Sequence, residues 1–302
     1  MDTEKEIIYY LENRGWPWIY HFLAYSMGGL QYIYKKDKPV KIYIPYMKKD
    51  IAPVDREYIA RLTGRGDYEI TYPYVYGGPN FSFTTADINY EIVHLFEPEF
   101  QFIDTLSGID LDAIEVRSFV GEPGSNCSVP NITHVYLRNC VLSKIPTSII
   151  EKGKRVYLTR KNSNNLTINN GILKRHVLNE DEMMEALIPL NFEYIHLENL
   201  SLKEKIHLFQ TSEIILSPNS GGLTFSIFAN HNTTIIELMP IFSIGEYNQN
   251  FKQEQFLEIG RAVGIDIHRF QEMKRVESEL NMEVDVPKLV DHVQTIIKNR
   301  YT

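Results

Sequence analysis

The stretch "FEYIHLENLSLKEKIHLFQTSEIILSPNSGG", Phe192 to Gly222, decides the fold. Its opening "FEYIHL" (192–197) is a short apolar-aromatic run of strand type. "SLKEKIHLFQ" (201–210) has helical spacing, with Ser201 as N-cap and Glu204 completing a capping box. "EIIL" (213–216) is again apolar and short, and it runs into a turn with two adjacent glycines, Gly221 and Gly222. Two strands joined by a helix form a crossover unit, and such units make parallel sheets. The alternation continues outward. Upstream lie the strand "RVYLT" (155–159) and the acid-opened helix "NEDEMMEALIPL" (179–190). Downstream come a helix over 223–230, a strand "TTIIEL" (233–238), a helix over 254–264, an extended "IDIHRF" (265–270) and a helix over 286–299. The fold class is therefore α/β, a parallel sheet with helices on both faces.

The first half is less regular. Helical spacing marks 3–13, 17–34 and 53–62, and extended runs mark 40–46, 68–76 and 133–139. Prolines and glycines at 77–79 and 121–130 mark loops. The charged stretch 149–155 is expected to link two domains, 1–150 and 151–302.

Composition narrows the function. A chain of 302 residues with 43% apolar residues is that of a folded globular protein. Its net charge of −8, with no basic cluster, argues against a nucleic-acid partner, whose phosphates need neutralising. No apolar run reaches the roughly 20 residues of a membrane span, and the acidic opening "MDTEKE" is unlike a signal peptide. Two cysteines, Cys127 and Cys140, are too few for a disulfide framework, so a reducing, cytoplasmic setting is expected. The N-x-S/T triplets scattered through this asparagine-rich chain are expected to be chance matches.

Chemistry gathers at the glycine turn "SPNSGGLTF" (217–225). A strand that ends in such a turn and opens a helix collects unpaired amides and a positive dipole end, which suits an anion. Gly221 and Gly222 leave room for a phosphate, and Ser217, Asn219, Ser220 and Thr224 add side-chain donors. The alternative is that the glycines only permit close strand–helix packing. The pattern is not GxGxxG, which counts against a nicotinamide enzyme, and it lacks the lysine of a P-loop. Glu237 ends a strand at the sheet edge where open α/β folds bind ligands, and its carboxylate can accept both hydroxyls of a ribose. Arg160 and Arg175 can face a diphosphate, or be ordinary solvated arginines. Asn179 and Glu180 open a helix, as ligand groups or as caps.

Taken in order, "VYLTRK", "KRHVLNEDE", the stretch from "NFEYIHL" through "SGGLTFSIF", and "TTIIELMP" resemble the C-terminal half of glycosyltransferase family 61 over about residues 154–240. A fainter likeness lies in "WPWIYHFLAYSMGGLQ" (16–31). The resemblance implies a GT-B fold, two Rossmann-like domains facing across a cleft. Domain 1–150 would take the acceptor and 151–302 the donor, the last helix being free to return to the N-terminal domain. It further implies a metal-independent inverting transfer from a UDP-sugar to a glycan or glycoconjugate hydroxyl. Donor-site positions carried over are Arg160, Arg175, Ser220, Gly222, Leu223 and Glu237. The chain departs from the family pattern at Asn219 in place of histidine, Gly221 for alanine, Phe225 for asparagine and His176 for the second of two arginines.

An inverting transfer needs a base to deprotonate the acceptor hydroxyl. His21 fits by family position, with Asp104, Glu97 and Glu99 as substitutes, while a histidine in an aromatic segment also reads as core. Two other readings compete. Asp110 and Asp112 form a DxD pair of the kind that holds a metal in GT-A transferases, although no strand leads into it here. The changes at Asn219 and His176 also suit a non-catalytic carbohydrate- or nucleotide-sugar-binding protein that keeps the fold.

Overall fold

The computed structural model describes residues 5–11, 23, 27–34, 38–44, 53–63, 91–119, 131–146, 148–161, 176–239, 254–276 and 281–302. The chain divides into two units, Met1–Ser125 with Ile132–Lys144, and Asn126–Asn131 with Ile145–Thr302.

In the first unit, β1 (Glu6–Leu11), β2 (Val40–Tyr43), β3 (Phe100–Ile103) and β4 (Ile114–Phe119) form an all-parallel sheet ordered β3-β2-β1-β4. Segment 3–13, expected to be helical, contains a strand instead. Acids ahead of "IIYYL" resemble a helix's first turn. A central parallel strand, however, is covered on both faces and reads as one continuous apolar run; Ile8, Tyr10 and Leu11 are buried. The reverse error occurs at 133–139, which lies inside helix α2 (Asn131–Leu142), while α1 is Pro53–Thr63. β-branched and aromatic residues suggested a strand there, yet the buried positions Thr133, His134, Leu137 and Val141 follow a helical stripe. Of segment 17–34, the residues Gly28–Tyr32 form a 3₁₀ turn. The run 68–76 lies outside the described residues.

His134 is fully buried on α2, with neither ring nitrogen hydrogen-bonded among the described residues. Packing beside it is tight, since a Cβ on Gly28 would collide with Thr133 Cγ2. Desolvation lowers the imidazole pKa from 6.5 to about 4. A depressed histidine contributes stability that is complete above its unfolded pKa and drains away as pH falls toward its folded value. Between pH 7.5 and pH 5 this linkage removes roughly 2 kcal/mol. His134→Leu is expected to lose that much less than the parent in urea melts at the two pH values. An equal loss in both would clear His134.

In the second unit, β5 (Arg155–Leu158), β6 (Phe192–Ile195), β7 (Ile214–Pro218), β8 (Thr234–Leu238) and β9 (Asp266–Phe270) form a parallel sheet ordered β6-β5-β7-β8-β9. Both faces carry helices, as the alternation implied. On one face α3 (Glu180–Leu187) and α6 (Val286–Tyr301) bury Met183, Leu187, Leu289 and Val293 against Tyr157, Leu216 and Ile236. The other face holds α4 (Leu202–Thr211), a 3₁₀ segment Gly221–Phe228 and α5 (Gln255–Val263). Phe209, Phe225 and Phe228 stack there, with ring centroids 6.1 and 6.3 Å apart. The Ser201–Glu204 capping box at α4 is present, with bonds made in both directions. A hairpin of β10 (Met273–Val276) and β11 (Asn281–Val284) follows β9.

The last helix packs on its own unit's sheet, and its C-terminal turn is clamped there. Glu213, just before β7, accepts from Tyr301 Oη at 2.6 Å and lies 3.5 Å from Arg300 Nε. The expected linker belongs to the same unit: Glu151 N bonds Thr211 O, and Gly153 N bonds Glu213 Oε2.

Candidate functional site

Strand order points to a candidate site before any side chain does. From β5 the chain crosses to β6 on one side and then returns to β7 on the other, so the order reverses between β5 and β7. At such a point the crossover connections diverge and leave a crevice at the carboxyl ends of the strands. β5 and β7 pair as Tyr157↔Leu216. Counted on from that pair, Arg160 and Asn219 occupy corresponding positions just past the ends of β5 and β7. The glycine turn and Arg160 thus both follow the carboxyl ends of neighbouring strands.

The helix expected over 223–230 is instead a 3₁₀ segment that starts at Gly221 and ends at Phe228. It is wedged between α4 and α5, with Leu223, Thr224, Phe225, Ile227 and Phe228 all buried, so packing sets its conformation. Ser220 precedes it in extended conformation (φ −155°, ψ 162°). Asn219 N bonds Leu238 O, and Leu223 N bonds Ser220 O, both at 3.0 Å. The amides of Gly221 and Gly222 open the helical segment and have no carbonyl within it. Gly221 is exposed and Gly222 half-buried. Close packing also applies: a Cβ on Gly222 would meet Leu197 Cδ2 at 2.8 Å. The close-packing reading therefore holds at Gly222, while Gly221 stands exposed at the start of the segment.

Other expected donor-site positions are buried. Ser217, Leu223 and Thr224 have no exposed surface, and Ser217 Oγ donates to Pro218 O at 2.9 Å. Glu237, expected to accept a ribose, is also fully buried. Its Oε1 accepts from Asn219 Nδ2 at 2.5 Å, and its Oε2 accepts from Arg269 Nε at 2.9 Å. Arg269 sits directly across from it on β9, a partner that sequence reasoning missed. The signal was present only as chemistry: a carboxylate on a strand buried on both faces requires a cation.

Glu180, the first residue of α3, is buried and faces the end of β5. Its Oε1 accepts from Tyr157 Oη (2.6 Å) and Thr159 Oγ1 (2.8 Å), while Oε2 is buried with no hydrogen-bond partner among the described residues. Burial, then the Glu180 charge, holds the Tyr157 phenol well above its ordinary range. The same causes push Tyr194 up to about 12. Arg160 acts on this cluster electrostatically. It opposes the rise at Tyr157 and adds to the lowering of His176, which burial dominates. Asn179 stands at the N-cap of α3 without a side-chain capping bond: its Oδ1 accepts from Val284 N and its Nδ2 donates to Val284 O, fastening β11 to the start of α3.

In the first unit, Asp104 follows the last residue of β3, at the carboxyl edge of that sheet, and is partly buried. Its loop is anchored by Asp55, which accepts from Tyr43 Oη, Leu106 N and Thr105 Oγ1 at 2.6–2.7 Å. Glu97 and Glu99 are drawn into surface pairs with His94 and Lys144. Lys144 holds the Glu99 carboxyl below its ordinary range, the wrong direction for a base. Asp110 and Asp112 lie exposed in the β3–β4 connection, where Asp110 Oδ1 accepts from Asp112 N at 3.0 Å. Among the described residues, no three His, Cys, Asp or Glu side chains cluster as metal ligands. No described helix is long and apolar enough to cross a membrane. His21 and Arg175 lie outside the described residues.

A family model described as glycosyltransferase 61 matches residues 20–236, well over half of the chain. The match takes in Arg160, Glu180 and the glycine turn. No curated protein matches the chain significantly.

Proposed function

This chain belongs to glycosyltransferase family 61, and from that premise we propose that it seats a UDP-sugar with the diphosphate at the carboxyl ends of β5 and β7. The enzyme moves the sugar, with inversion and without a metal ion, to a hydroxyl of a glycan or glycoconjugate acceptor in the cytoplasm. One observation carries this reading: Arg160 and the glycine turn follow the carboxyl ends of the adjacent strands β5 and β7, at the point where strand order reverses.

The chemistry follows from charge. As the bond from the anomeric carbon to the diphosphate breaks, the leaving oxygen gains negative charge. Donors fixed before the reaction stabilise that charge without reorganising. A guanidinium and two backbone amides can do this where other transferases use a divalent cation. On the opposite face of the sugar the acceptor hydroxyl must lose its proton. Asp104, on a loop fixed through Asp55, is our candidate base among the described residues, and His21, outside them, is the other candidate. Two units, each built on a parallel sheet, support the GT-B reading, in which they would face each other across a cleft.

Thermal melts with UDP, GDP, CMP and NAD, each with and without EDTA, test the proposal. UDP is expected to raise the midpoint and EDTA to leave that rise unchanged. Dependence on restored manganese would move the site toward Asp110 and Asp112. Silence from every nucleotide would remove the proposal. Because Asn219 turns inward to Glu237, a non-catalytic reading also has a specific observation behind it. Binding of UDP without transfer across sugars and acceptors would favour that reading.

A further inference from the structure

The carboxyl ends of β7, β8 and β9 are joined by one chain of hydrogen bonds. Arg269 Nε on β9 donates to Glu237 Oε2 on β8, and Glu237 Oε1 accepts from Asn219 Nδ2 at the end of β7. The Asn219 amide bonds Leu238 O, so this residue is gripped through both side chain and backbone. Ser220 and the two glycines follow it directly. Asn219 and Glu237 are buried, and the Arg269 side chain is 12% exposed. A guanidinium's planar donors fix direction as well as charge, which a lone hydrogen bond between Asn219 and Glu237 would not do.

We propose that Arg269 is a positioning residue: through Glu237 it orients Asn219 and thereby sets the direction of the Gly221 and Gly222 amides. It touches no substrate. Where the family pattern places a histidine, this chain has an asparagine turned inward, and the Arg269–Glu237 pair is what holds it there. The part of the proposal that concerns ligand binding rests on the UDP-sugar reading above; the part that concerns the turn does not.

A second buried arginine–glutamate pair in the same sheet supplies the control. Arg155 and Glu213 lie at the amino ends of β5 and β7, with Arg155 Nη2 3.5 Å from Glu213 Oε2. Arg269→Gln and Arg155→Gln each neutralise one buried arginine, but only the first lies next to the glycine turn.

Amide exchange read at Asn219 and Leu223 is expected to quicken about tenfold in Arg269→Gln and to stay near parental in Arg155→Gln. Arg269→Lys, which keeps the charge but loses the fork, should recover part of the protection. If Arg269→Gln does not fold, Arg269→Lys carries the comparison, with exchange faster by about threefold. UDP affinity by calorimetry should fall about tenfold in Arg269→Gln and not in Arg155→Gln. Equal exchange at Asn219 in the two glutamine variants would overturn the proposal, as would unchanged UDP affinity in a destabilised Arg269→Gln. A parent that ignores UDP while the exchange contrast persists would sink the UDP-sugar reading and leave the positioning role standing.

Discussion

Glu237→Ala is expected to lower the thermal midpoint of the chain by about 10 °C, whether or not nucleotide is present. The carboxylate has no exposed surface and holds two partners, Arg269 at 2.9 Å and Asn219 at 2.5 Å. Removing it leaves a guanidinium in a site that water barely reaches, and breaking one side of a buried pair costs roughly 3–5 kcal/mol. The loss is mostly this orphaned charge, not the worth of the pair itself. Replacing both members with apolar residues of similar size, Glu237→Leu with Arg269→Met, is therefore expected to regain most of the stability. Urea melts of parent, single and double variants measure it. If the single variant loses under about 1 kcal/mol, the pair is solvated and its scaffold role falls.

That expectation differs from what the sequence alone suggested for Glu237, and the difference shows which information sequence carries. Residues Ser201 and Glu204 announce α4 because a capping box is a local signal, and the strands flanking it are short apolar runs bounded by polar turns. Most of the second sheet is legible for the same reason. β1 is not, because its run "IIYYL" is apolar or aromatic at every position and lacks the alternation that would mark a strand. α2 is not, because Thr133, Val135 and Tyr136 favour strands locally and helix only in the context of what they bury. At the candidate site, the positions of Arg160 and the glycine turn after apolar runs are legible in the sequence. The fate of Glu237 is not, since its partner lies on β9 and depends on which strands are neighbours and in what register. Asn179 is a similar case: a local rule makes it a cap, whereas its amide is used by Val284, more than a hundred residues away.

Arg160→Ala is expected to abolish the stabilisation by UDP and to slow transfer by roughly a hundred- to a thousandfold, the cost typical of losing one fixed donor to a developing anion. The parent fold should survive. Arg160 lies two residues past the end of β5 and is partly exposed, whereas Glu237 is fully buried within β8. Arg160→Lys separates two contributions. A lysine restores a point charge but not paired donors, so it should recover part of the UDP affinity and little of the rate. An independent readout shows whether the guanidinium lies where the site requires. Burial lowers the His176 imidazole and the Arg160 charge lowers it further. Without Arg160 the proton should therefore return to His176 at a higher pH, visible in its ring resonances. The sign is fixed: a neighbouring cation disfavours the imidazolium, so its removal can only raise the pKa. A His176 titration that moves as expected, together with UDP stabilisation that survives in Arg160→Ala, would place the guanidinium correctly and still remove it from the diphosphate. A titration that stays put would show that Arg160 does not face the crevice between β5 and β7 at all.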